Sequence, residues 1–122
     1  MRAGVLCRSK AVREAFVSAL KESGLDRDYV AAEMSRLTGE AVSVTHLNNW
    51  CGESKQEWRL PLEYASAFCL IVEDWGVFVA ALEGTGRELA DKQVMLAAEY
   101  GRLVAEKKKR AVKERELLEA MS

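Results

Sequence analysis

One proline in 122 residues, Pro61, and apolar side chains that recur three and four positions apart along most of the chain leave little room for anything but helices. Runs of β-branched residues are short. An all-α fold is therefore expected: about five short helices packed over residues 1–84, then a long C-terminal helix over 85–122. At 49% apolar the chain can bury a core, and at 30% charged it does not read as a membrane protein. There is no run of about eighteen apolar residues, and the opening MRAGVLCRSK lacks the apolar centre of a signal peptide. A cytoplasmic location is expected. Cys7, Cys51 and Cys69 are odd in number and far apart, so reduced, mostly buried thiols are the expected state.

Punctuation residues mark the helices. Ser9 is a candidate cap for a first helix over about 10–22, with Val12, Phe16 and Leu20 on one stripe, Gly24 beyond its end and Leu25 packing back. Asp26 suits the cap of a second helix to about Leu37, burying Val30, Met34 and Leu37 while Ala31 permits close approach. Ser43 opens a third helix that Cys51 and Gly52 close. In the polar connection 52–60, Ser54 and Glu57 have capping-box spacing that would suit a single helical turn. Pro61 fits the first turn of a fourth helix to about Val72, with Ala65, Phe68, Cys69 and Val72 inward. Residues 75–82 read as a short fifth helix. Thr85 and Glu88 then have the spacing of a capping box for the last helix, a better reading of Gly84-Thr85-Gly86 than a phosphate loop.

The third helix carries the most chemistry. Val44, Leu47 and Trp50 recur on one side, while Thr45, His46, Asn48 and Asn49 face away from it. Those four are uncharged donors and acceptors of a size that reaches base edges from an inserted helix, and Asn is a natural partner of adenine. Other chemistry is thinly supplied. His46 is the lone histidine, and with Cys51 it makes only two of the ligands a zinc site needs. A Ser-His-Asp arrangement lacks a nucleophile elbow, and the carboxylates lie on solvated helix faces, so neither an enzyme, a metal nor a cofactor is expected. Trp50, Trp58 and Trp75 read as core and cover.

Several segments resemble the λ-repressor-like helix-turn-helix domains over roughly residues 10–82. Leu25-Asp26-Arg27-Asp28-Tyr29-Val30-Ala31 resembles the opening of that family's second helix. Val42-Ser43-Val44-Thr45-His46-Leu47-Asn48-Asn49-Trp50 resembles its recognition helix, and Leu60-Pro61 its next helix. Ala31 and Val42 lie eleven apart where the family has about five, so the second helix or its turn is longer here. With this turn, the loop Ser54–Arg59 and a charged last helix, the chain is also similar to small regulatory proteins of Mu-like transposable phages and prophages. The resemblance implies a helix-turn-helix bundle that binds double-stranded DNA selectively, with Thr45, His46, Asn48 and Asn49 at base edges. Phosphates would meet Ser43, Arg27, Lys55 and Arg59.

Few phosphate contacts would mean weak binding by one copy, so a homodimer reading two half-sites is expected. The long helix is the candidate device: Leu89, Leu96 and Leu103 keep seven-residue spacing and Tyr100 lies beside them, a stripe that suits docking on the domain as well as on a second subunit, but Arg110 and Lys107 spoil the seam beyond Val104. The alternative is a phage protein-interaction module that engages a host or phage protein through this helix or through the acidic middle segment. Net charge of −1 hides an uneven distribution: residues 61–100 carry 2 basic and 7 acidic groups, residues 101–122 carry 7 and 4. The run Lys107-Lys108-Lys109-Arg110 reads either as a solvated face or as a contact for phosphate or an acidic partner.

Overall fold

The computed structural model describes residues 1–54 and 57–122, and the protein is all-α. Among the described residues six helices follow one another: α1 (Ser9–Glu22), α2 (Arg27–Thr38), α3 (Val44–Cys51), α4 (Leu62–Val72), α5 (Gly76–Leu82) and α6 (Lys92–Met121). None of them is long and apolar enough to cross a membrane. The chain divides into two compact units, Met1–Glu88 and Leu89–Ser122.

In the first unit α1 packs on α3 and α5, α2 packs on α3 and α4, and α4 meets α5. The apolar stripes meet at the centre. Phe16, Val30, Met34, Leu47, Phe68 and Cys69 are the largest fully buried side chains, and Phe16 and Phe68 lie with ring centroids 4.4 Å apart. Each of these residues removes its side chain from water at roughly 25 cal/mol per Å² of apolar surface, which makes this cluster the main source of the unit's stability. Behind Pro61, Ala65, Phe68, Cys69 and Val72 are all buried, as their spacing predicts.

The ends of the helices follow their side chains. Asp26 caps α2 by accepting from the Asp28 N–H at 3.3 Å, and Gly39 ends it in the left-handed conformation at φ 74°. The connection from α2 to α3 is fastened by two hydroxyls. Ser35 Oγ accepts from the Val42 N–H at 2.9 Å and lies 2.9 Å from the Ala31 carbonyl and 3.0 Å from that of Val42, either of which can take its proton. Thr38 supports the turn by accepting from the Glu40 N–H at 3.2 Å. The connection is thereby folded back onto α2, and buried Val42 closes this end of the core.

Several expectations need correction. Arg8, not Ser9, is the cap residue of α1, and no side chain caps that helix. Arg8 Nε instead donates to the Ala80 carbonyl at 3.1 Å, and its guanidinium pairs with Glu83, so the start of α1 is tied to the end of α5. Leu25, which precedes α2, is 37% exposed and does not pack back, and Leu37 is 46% exposed, because the last turn of α2 runs past the core and Val42 covers that end. Trp58 and Trp75 are likewise 48% and 43% exposed; Trp75 lies against Phe78 rather than inside. The Ser54–Glu57 spacing spans Lys55 and Gln56, which lie outside the described residues.

The last helix begins later than its capping-box spacing suggests. Gly84 and Gly86 both adopt positive φ, and the Thr85 hydroxyl serves a turn by accepting from the Arg87 N–H at 3.1 Å. The cap is Asp91, which accepts from the Val94 N–H at 2.9 Å. The 30-residue helix that follows is about 45 Å long at 1.5 Å per residue, and no residue in it is buried.

Candidate nucleic-acid interface

The helix singled out by its sequence, α3, is anchored on its inner side by two fully engaged residues. Leu47 is buried among the core side chains, and the Trp50 indole meets Phe16 edge-on at 6.2 Å and Tyr64 at 6.3 Å. Val44 packs at the margin of the same core. With three of eight residues pointing inward at helical spacing, the axis and rotation of α3 are fixed, which determines what the other side shows.

Its N-terminus is held by a reciprocal cap. Ser43 Oγ accepts from the His46 N–H at 3.2 Å, and His46 Nδ1 accepts from the Ser43 N–H at 3.0 Å. The acceptor role of Nδ1 places the proton of the neutral ring on Nε2. The ring also stacks on Trp50, 5.9 Å between centroids and 14° between planes. His46 is thus a capping residue whose Nε2 meets no partner among the described residues. Sequence reasoning missed this because the acceptor at that position is usually Glu or Gln.

The four outward candidates divide accordingly. Thr45 and Asn48 are exposed, whereas His46 and Asn49 are half-buried. Asn48 has a protein partner already: the Arg27 guanidinium, on the first residue of α2, donates to its Oδ1. A contact across 21 residues of sequence leaves no local signal, and it joins two residues that the sequence assigned to different tasks, one to bases and one to phosphates. The two amide N–H groups of Asn48 donate to no partner among the described residues. No residue of α3 carries a carboxylate or a cationic head, so this surface offers hydrogen bonding with little charge.

Cations gather at the far end of α3. Arg59 shares a groove of about 500 Å³ with Lys10 and Arg13 from α1, with Cys51, the last residue of α3, and with Glu53 beyond it. Sequence reasoning missed Lys10 and Arg13, whose place beside Arg59 depends on the α1–α3 packing. Lys10 lies 4.0 Å from Glu14. Burial pushes the Cys51 thiol up, partly opposed by the Arg27 charge, while hydrogen bonding to Ser9 draws the exposed Cys7 thiol down. Cys69, in the core, is pushed up to about 11. Lys55 lies outside the described residues.

Among the described residues no three His, Cys, Asp or Glu side chains gather as a metal site would require. The candidate dimerisation residues Leu89, Leu96, Tyr100 and Leu103 all belong to the second unit and are 45%, 54%, 71% and 52% exposed. Leu89 precedes α6, so the helical seven-residue series starts at Leu96. Comparisons with protein-family models, curated proteins and solved structures find no match, so the chemistry of this surface stands on its own geometry.

Proposed function

We propose that the protein binds double-stranded DNA selectively through the outward face of α3, as a small helix-turn-helix regulator of phage or prophage type. The observation that carries this reading is the division of α3 into a locked inner side, Leu47 and Trp50, and an outer side where Thr45 and Asn48 stand exposed on a capped helix. A helix about 10–12 Å across fits the roughly 12 Å major groove, where Asn can read adenine and Thr can meet the thymine methyl. Arg27 beside Asn48 and the Arg59 groove supply cations at the flanks of that helix. Two copies would read half-sites about ten base pairs apart.

The test is selection from a randomised duplex pool at near-physiological salt, with the wild-type protein and the Thr45→Ala/Asn48→Ala variant. An enriched motif that the variant no longer selects is expected, with each lost contact weakening the preferred duplex by about 1–3 kcal/mol. Enrichment unchanged in the variant would remove α3 as the reading element.

A second reading, a helical protein-interaction module, is favoured by the apolar side chains on α6. Val94, Met95, Leu96, Tyr100 and Leu103 are each more than half exposed, an arrangement that suits a helical partner.

A further inference from the structure

The C-terminal half of α6 carries a charge pattern that the reading of α3 does not use. Over residues 107–113 there are five cations, Lys107, Lys108, Lys109, Arg110 and Lys113, and no carboxylate. None of these five has a carboxylate within 4 Å among the described residues, although Glu106, Glu114 and Glu116 lie on the same helix. Elsewhere on α6 a pair does form, Arg102 with Glu99 at 3.0 Å.

The direction of the charges says what they suit. Successive residues turn by about 100° round a helix axis, so Lys107 to Arg110 point to four directions spread over some 300°. They form a belt. A bilayer or an acidic peptide lying against a helix meets one face and would favour cations on that face. The major groove of B-form DNA, by contrast, has a phosphate wall on each side and a width close to the diameter of a helix, so cations on opposite flanks are all engaged at once. A-form RNA offers no such fit, because its major groove is deep and narrow.

We infer that residues 107–113 of α6 form a second, sequence-independent contact for double-stranded DNA, in which the cation belt engages the phosphate backbone. This does not rest on α3 reading bases, and it assigns the salt dependence of binding mainly to α6.

The test uses the full chain and fluorescence anisotropy with a 20-base-pair DNA duplex of arbitrary sequence, the matching RNA duplex and polyglutamate, over a series of salt concentrations. Lys107→Gln/Lys108→Gln/Lys109→Gln/Arg110→Gln should lower the slope of log K against log salt by about 3 and weaken DNA binding about a hundredfold at 0.1 M salt. Gln keeps nearly the helix propensity of Lys, and far-ultraviolet circular dichroism checks that α6 persists. Lys107→Arg/Lys108→Arg/Lys109→Arg should keep the slope. Thr45→Ala/Asn48→Ala should leave it unchanged while abolishing any sequence preference, so the failure of one contact is separable from failure of the other. A slope change below about 1 in the neutralised variant would overturn the inference. So would equal affinity for polyglutamate or the RNA duplex, or no binding of the wild-type protein to DNA at 50 mM salt.

Discussion

At the scale of single residues, α3 depends on a cap made by two side chains rather than one. Ser43 and His46 exchange hydrogen bonds across the first turn, and the His46 ring adds a stacked contact with Trp50. Replacing Ser43 with Ala leaves the His46 N–H without its acceptor and should cost about 1 kcal/mol in urea denaturation, within the usual range for a lost N-cap. His46→Ala should cost a similar amount, and the double variant less than the sum of the two, because each single change already breaks the exchange. Additive losses would show that the two bonds act independently. The sequence made Ser43 legible as a cap, since a small hydroxyl before an apolar-periodic run has that role almost wherever it occurs. It made His46 legible only as a polar outward residue, because its ring turns back to the chain in a way that periodicity does not encode.

At the scale of helices, legibility followed the strength of the local pattern. Residues 62–72 were readable in full, with Pro61 setting the start and four inward residues at three- and four-residue steps. The end of α2 was misjudged at Leu37 because the chain returns through Ser35 and places Val42 over that end, an arrangement that depends on contacts seven residues apart. The start of α6 differs from its capping-box spacing because the Thr85 hydroxyl can equally serve a turn, and the glycines on either side of it, both in positive φ, decide for the turn. Of the DNA-facing candidates, the exposure of Thr45 and Asn48 was legible, but the link from Arg27 to Asn48 was not. The consequence for packing is testable at Leu47, which is fully buried and connects α3 to the helices around it. Leu47→Ala should destabilise the protein by about 2–5 kcal/mol, and Asn48→Ala by well under 1 kcal/mol. Comparable losses in guanidinium unfolding would mean that the inner and outer sides of α3 are not divided as described.

At the scale of the whole molecule, the two units obtain stability differently. The first has a closed apolar core, whereas α6 buries none of its residues and relies on helix propensity, the Asp91 cap and short-range pairs such as Glu99–Arg102. A long helix with Leu96, Tyr100 and Leu103 in water gains by burying them against a second copy. Sedimentation velocity of the wild-type chain at tens of micromolar should therefore show twice the 13.6 kDa chain mass, and Leu96→Ala/Tyr100→Ala/Leu103→Ala should return it to one chain. A wild-type monomer at that concentration would leave those side chains to a different partner. The grip of Arg8 on Ala80 and Glu83 has a separate consequence. It brings together positions 72 and 75 residues apart, so the first and last helices of the first unit are joined at one spot, α1 at its start and α5 at its end. A chain whose ends meet in this way can be cut open elsewhere and rejoined there by a short linker, or repeated in tandem, without any helix having to change its place.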